Sequence, residues 1–276
     1  MESSNISLNS VIRFNKVDYS HPTGTIALRD INFEIVQSEL VAILGANGAG
    51  KSTLVRHING LLKPTRGTVT VFGQDTKTAT PAELSRKVGI VFQNPNNQLF
   101  AQTVSREIEF ALKNFGLSDD FVKRRIKWAL DTFLLTEYAD RSPAELSGGE
   151  KKRLCIALVL AWDPSVVILD EPTVGQDSEQ KDKLTQIIKD LISQSKNVIL
   201  VTHDVEFIWP LQPRIILMSN ASVVADGSAQ QVLGNPGVVE TSSIIIPQLA
   251  DFAIRSEWSK PYPATPEEVE KRIRSV

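Results

Sequence analysis

The sequence has 276 residues, a formal net charge of −2 and an apolar content of 42%. That is enough for a full hydrophobic core, in one large domain or in one domain with a small appendage. The charge balance excludes a global basic field suited to nucleic acid. The single cysteine, Cys155, excludes an internal disulfide framework and fits a reducing compartment. No stretch near the start has the charged-then-apolar form of a signal peptide, and runs such as 166–169 and 244–246 are far too short to cross a bilayer. A soluble chain is expected, with any membrane role exercised through a partner.

In chain order, short strands are predicted over 11–17, 31–36 and 40–44, the last running into a glycine-rich loop. A helix follows over about 51–61, ending near Gly60 and Pro64. Strands are predicted over 68–72 and 88–92, bounded by glycine. From about 104 to 135 apolar residues recur at helical spacing with charges between them. Later segments alternate: helix 150–162, strand 166–169, helix 179–193, strand 198–201, then strands near 215–218 and 223–225. Such alternation with short connections implies an α/β fold, with parallel strands covered by helices. After about Gly234 prolines accumulate, and Thr265-Pro266-Glu267-Glu268 has the form of a capping box at the start of a last helix. The expected division is a domain over 8–234, with a helical subdomain at about 93–162, and a C-terminal appendage over 235–276.

Gly45-Ala46-Asn47-Gly48-Ala49-Gly50-Lys51-Ser52 fits the P-loop pattern, with a strand before it and a helix after it. The glycines let backbone N–H groups turn inward around phosphate oxygens, and the helix start adds its positive end. Lys51 is expected to meet the outer phosphates of ATP, and the Ser52 hydroxyl to ligate Mg²⁺, with Thr53 beside it. Val166-Val167-Ile168-Leu169-Asp170-Glu171 reads as a buried strand releasing two carboxylates at its C-terminal end, where open parallel sheets bind ligands. Asp170 is assigned to Mg²⁺ and Glu171 to polarising the attacking water.

Leu146-Ser147-Gly148-Gly149-Glu150 is a second phosphate-facing helix start: Ser147 and Glu150 have capping-box spacing, and two glycines bare the backbone N–H groups. One site does not need two such starts on one chain. The segment closely resembles the signature of ABC-type ATPases, and the resemblance extends over roughly 11–234. It implies a P-loop core with an antiparallel β subdomain and a helical subdomain. It also implies that Ser147, Gly148, Gly149 and Glu150 complete the nucleotide site of a facing subunit. By the same resemblance Gln93 is the glutamine that senses Mg²⁺ and water. His203 is the switch histidine at the γ-phosphate, and Asp177 the aspartate of the loop that touches the opposite subunit. Gln176 stands where that loop usually carries an apolar residue. The family stacks an aromatic ring on adenine just before a proline. Here the slot holds His21, with Tyr19 on the same strand face by period two; either ring fits, and position favours His21.

Phe92-Gln93-Asn94-Pro95-Asn96-Asn97-Gln98-Leu99-Phe100 and Thr103-Val104-Ser105-Arg106-Glu107-Ile108 resemble the extended glutamine loop of energy-coupling-factor and cobalt-type importer ATPases, as does the appendage. That implies two ATPases, identical or paralogous, at the cytoplasmic face of the membrane. They would work with a transmembrane coupling protein and a small membrane protein that captures a vitamin or metal ion. ATP closes the ATPase dimer, the appendage aids dimerisation, and the coupling groove lies near Gln93 and the helical middle. The alternatives are an ATPase of another ABC importer or exporter, or a non-transport ABC ATPase. DNA-repair types carry a long coiled-coil insertion between P-loop and signature, and here that interval has no sustained heptads. A P-loop kinase leaves 146–150 and His203 unexplained. Among the remaining residues, Cys155, Trp128 and Trp162 are expected in the core, and Lys123-Arg124-Arg125 on a solvated helix face.

Overall fold

In the computed structural model, which describes residues 10–240, 242 and 244–274, two sheets share the work of positioning one loop. The strand β1 (Ser10–Ser20) pairs antiparallel with β2 (Ile26–Val36). The next strand, β3 (Leu40–Gly45), leaves for the second sheet, while β4 (Arg66–Val71) returns to pair with β1 and β5 (Gln74–Asp75) closes the order β2-β1-β4-β5. The second sheet adds β6 (Val88–Val91), β7 (Val166–Asp170), β8 (Asn197–Val201), β9 (Arg214–Ser219) and β10 (Ser222–Ser228), in the order β10-β9-β3-β8-β7-β6. Every pairing in it is parallel except that of β10 with β9.

Side-chain alternation divides the parallel strands between two cores. Val41, Ile43, Val166, Ile168, Ile199 and Val201 face the antiparallel sheet and join Phe14, Leu28, Ile31, Leu54 and Ile58. Ala42, Leu44, Val167, Leu169, Val198 and Leu200 face the other way, into the helices. A strand buried on both faces needs an unbroken apolar run, which is why these segments read as such in the sequence.

The helices are α1 (Lys51–Ile58), α2 (Pro81–Ser85), α3 (Val104–Asn114), α4 (Asp119–Thr132), α5 (Gly148–Ala161), α6 (Ser178–Ser193), α7 (Val205–Ile208), α8 (Ala229–Val232), α9 (Pro236–Glu240), α10 (Gln248–Arg255) and α11 (Pro266–Arg274). None of those described is long and apolar enough to cross a membrane. The helical run expected over 104–135 is two helices, because Gly116 turns the chain at φ +71° between them. Beyond α8 the chain docks back on the main core. Trp209 Nε1–H donates to Pro263 O at 2.8 Å, and Val238, Ala250 and Tyr262 extend the helix-side apolar cluster. At the run 244–246 the side chains alternate, with Ile244 and Ile246 packed inward and Ile245 67% exposed.

Cys155 is core as expected, and burial pushes its thiol up to about 12. Of the two tryptophans expected there, Trp162 packs against that core and Trp128 does not. Trp128 is 37% exposed with the Arg125 guanidinium stacked 4.0 Å from its ring centre, and Trp162 is half-buried beside Phe115. Nor is Arg125 on a solvated face. Its Nε and an Nη donate to the carbonyls of Ala161 and Leu160, both at 2.6 Å, closing the last turn of α5. Leu160 O also accepts from Asp163 N at 3.2 Å, so the guanidinium adds a further donor at the helix end, where its positive charge meets the negative end of the dipole. Periodicity does not register such a contact, because the partners lie on different helices.

Replacing Arg125 by Ala is therefore expected to cost about 1–3 kcal/mol of stability. Arg124→Ala, on the exposed side of α4, should stay within about 0.5 kcal/mol. Urea denaturation of both variants checks this; equal midpoints would contradict the capping role.

Candidate active site

The loop between β3 and α1 follows a path open only to glycine at two points. Gly45 has φ +148°, and a Cβ there would lie 2.3 Å from Met218 O; Gly50 has φ +105°, and its Cβ would lie 2.4 Å from Ala27 O. Gly50 is also the residue before the first helical turn of α1, so its left-handed conformation aims that helix start into the loop. Lys51 is 8% exposed, and its Nζ donates to Gly45 O at 2.7 Å and Ala46 O at 3.1 Å. Burial lowers its pKa, opposed by the charges of Glu171 and Asp170. The loop is thus tied by its own lysine, and Ala49 is buried beneath it.

Strand β7 lies one strand away from β3, across β8, so its C-terminal end opens beside the loop. Asp170 is 7% exposed, and its pKa is raised by burial and by neighbouring Glu171, while Lys152, Lys51 and a hydrogen bond from Ser52 hold it down. Glu171 has φ +49°, an uncommon conformation for a side-chain-bearing residue. Three contacts hold it there. Its N–H donates to Val201 O at 2.7 Å, its Oε2 accepts from Thr202 Oγ1 at 3.1 Å, and its Oε1 lies 2.9 Å from His203 Nδ1. Thr202 is fully buried, whereas the His203 ring is 65% exposed.

A cavity of 340 Å³ joins these groups. Asn47, Gly48, Gly50, Lys51, Ser52, Thr53, Gln93, Asp170 and Glu171 line it, and His21, Thr25, Ile26 and Ala27 form its β-sheet side. His21 therefore borders the cavity and Tyr19 does not: Tyr19 is 8% exposed and packs edge-on against His57 and His21, at 4.8 and 5.1 Å between ring centres. The alternative that Tyr19 offers a stacking face is corrected by this burial, and Tyr19 backs His21. Reading the sequence missed Thr202, Ile26 and Lys152. A threonine directly before His203 is a usable signal for the first, but Lys152 has none short of its three-dimensional contacts.

The second helix start lies apart from this cavity. Ser147 caps α5 in a full box, its Oγ accepting from Glu150 N at 3.3 Å and its N–H donating to Glu150 Oε2 at 2.7 Å. The N–H groups of Gly148 and Gly149 then have no intrahelical acceptor, and Ser147 and Gly148 are exposed. Asp177 caps α6, accepting from Gln180 N at 2.8 Å. Gln180 also packs over Gly149, where a Cβ would fall 3.1 Å from its Oε1. Gln176 Nε2 and Gln180 Oε1 are buried atoms with no hydrogen-bond partner. The first turn of α6 and the signature are thus in contact within one chain.

The fold and cavity define a P-loop nucleotide-binding α/β protein. Residues 28–174 match the ABC transporter family model. The chain is 39% identical over 247 residues to the energy-coupling factor transporter ATP-binding protein EcfA of Methanothermobacter thermautotrophicus, covering 89% of this chain and 79% of that one. Against EcfA of Methanococcus maripaludis the identity is 36% over 243 residues, covering 87% of each. Its fold is similar to that of cbiO1 from Clostridium perfringens, part of the ABC transporter complex cbiONQ, with a TM-score of 0.73 at 33% identity over 89% of this chain and 99% of that one. It is also similar to the dimeric post-hydrolysis cassette MJ0796 bound to ADP and Pi, with a TM-score of 0.72 at 30% identity over 79% of this chain and 98% of that one. The chain belongs to the ABC transporter family, as an ATP-binding and ATP-hydrolysing subunit.

Gly50→Ala sets a methyl against Ala27 O in a backbone conformation that disfavours it. ATP affinity measured with a fluorescent analogue should fall about tenfold or more, as expected for a strained non-glycine backbone of roughly 1–3 kcal/mol. Unchanged affinity would show that the loop relaxes around the added methyl.

Proposed function

We propose that this chain hydrolyses ATP as one half of a closed dimer, and that closure drives a membrane importer of the energy-coupling-factor type for a vitamin or a transition-metal ion. The observation that carries this reading is the exposed start of α5. A capped helix of 14 residues, with two bare glycine N–H groups, lies outside the cavity that Lys51 and Glu171 line. A facing copy, or a paralogue, supplies the phosphate that this start fits. The dimeric form of the similar cassette supports the same arrangement.

Within the cavity, Lys51 and the loop N–H groups bind the ATP phosphates, and His21 borders the adenine side. The Ser52 hydroxyl, the Asp170 carboxylate and the Gln93 amide supply hard oxygen donors on one cavity, and among the described residues no group of three or more His, Cys, Asp or Glu side chains forms a metal cage. That donor set fits Mg²⁺, which takes one or two protein ligands and completes its shell with water and phosphate. When bound, Mg²⁺ neutralises charge developing on the phosphates. Glu171, oriented by Thr202 and His203, accepts the proton of the attacking water at its carboxylate. In its protonated form His203 pairs with Glu171 through Nδ1 and keeps an Nε2–H for a phosphate oxygen.

The coupling contact is a groove of 560 Å³ between α2, α3 and α5, lined by Arg86, Gln98, Phe100, Phe110, Phe115 and Trp162 among others. Phe100 is 68% exposed and Phe110 48%, their rings edge-to-face at 4.9 Å. Such an aromatic groove suits a short helix of a transmembrane coupling protein, which itself joins a substrate-capture membrane protein. The chain then sits at the cytoplasmic face of the membrane. On the appendage, exposed Ile245 and Phe252 support a part in dimerisation.

Two experiments test this. Glu171→Gln should lower kcat by about a hundredfold or more and, with ATP and Mg²⁺, elute as a dimer in size-exclusion chromatography with light scattering. Hydrolysis near the wild-type rate would remove Glu171 from its role, and a monomer under those conditions would overturn the closed dimer. Phe100→Ser with Phe110→Ser should weaken co-purification with the transmembrane coupling protein by about tenfold or more; full recovery of the complex would move the docking site elsewhere.

A further inference from the structure

Lys152 is 3% exposed, near the N-terminal end of α5, a position where the helix dipole disfavours a positive charge. Its ammonium has three N–H donors. They meet three backbone carbonyls: Phe92 O at 3.3 Å, Gln93 O at 3.4 Å and Asp170 O at 3.1 Å. The first two belong to the loop leaving β6, and the third ends β7. Carbonyls at the end of a parallel strand have left the ladder and need a donor when buried. Burial lowers the lysine's pKa, and Cys155, Asp170 and Glu171 oppose that shift.

We infer that Lys152 is a positioning residue for ATP hydrolysis, fixing Gln93 against Asp170 and both of them to the start of α5. It stands two residues past Glu150, so one side chain joins the signature that this chain offers to a facing site with the glutamine and carboxylate of its own site. The inference rests on the reading of Gln93, Asp170 and Glu171 as the hydrolytic centre. A buried ammonium is costly unless every donor is met, and here the three acceptors come from segments that no other described side-chain hydrogen bond ties together. With the ammonium removed, Phe92 O, Gln93 O and Asp170 O lose their shared donor, and the glutamine loop loses its fixed distance from β7. Phosphate binding by the loop before α1 does not pass through these carbonyls. The effect therefore falls on the chemical step more than on ATP affinity.

The test compares wild type, Lys152→Met, Lys152→Gln and Glu171→Gln. It measures kcat and ATP affinity, and follows amide hydrogen exchange by mass spectrometry. Lys152→Met keeps the length of the side chain and removes its donors. Its kcat should fall about ten- to a hundredfold with ATP affinity within about threefold, and exchange should quicken in residues 92–97 while the β3 and β8 amides stay protected. Lys152→Gln keeps one donor group and should recover part of kcat; it also decides the matter if Lys152→Met does not fold. Wild-type kcat in a folded Lys152 variant overturns the inference, as does exchange that quickens uniformly along the chain. Normal hydrolysis by Glu171→Gln would instead overturn the site reading on which the inference rests.

Discussion

Lys51, Asp170 and Glu171 act on one another because β3 and β7 flank β8 and both run parallel to it, with their C-terminal ends on the same side. Each charge is almost buried; both carboxylates offset the lysine, and the lysine offsets Asp170, whose charge the neighbouring Glu171 disfavours. Burial lowers the lysine's pKa and raises that of the aspartate, so both neutral forms are favoured; the opposite charges push back. The register of three strands thus becomes an electrostatic requirement. A slip of one residue would turn Asp170 to the opposite face of the sheet and remove one of the two carboxylates that offset Lys51.

That requirement explains the two-core architecture. The parallel strands are buried on both faces, by the antiparallel sheet and α1 on one side and by α3 to α6 on the other. Close packing on both sides holds the strand ends in fixed relation. Glu171 uses that rigidity directly. Its left-handed backbone is held by a hydrogen bond to β8 and by side-chain contacts to Thr202 and His203 just beyond β8. The strain sits at the residue proposed to face the reacting atoms.

What could be read from the sequence was whatever is local in it. The glycine-rich loop, the run that ends in Asp170 and Glu171, and the box of Ser147 and Glu150 each carry their physics within a few consecutive residues. Strand and helix order was legible for the same reason, since both cores impose apolar runs or periodicity. Contacts between distant segments were not. Arg125 sits in a basic triplet that looks solvated, yet its guanidinium closes a different helix. Tyr19 shares a strand face with His21, yet α1 brings His57 against its ring and buries it. The break at Gly116 lay inside an unbroken helical period, where one glycine is weak evidence against many apolar matches.

Two groups that no motif contains lie between the parts that the motifs do describe. Lys152 spans from the start of α5 to the ends of β6 and β7, and Gln180 spans from the start of α6 to Gly149. Both run from a helix beginning to a neighbouring segment of the site. A motion of α5 relative to the sheet must therefore break hydrogen bonds of a buried ammonium, whereas a motion of α5 with the glutamine loop breaks fewer. The second is the softer path. In a dimer that opens and closes, the signature and the glutamine loop would then travel together, as one body hinged against the sheet whose β3 and β7 lead into Lys51 and Glu171.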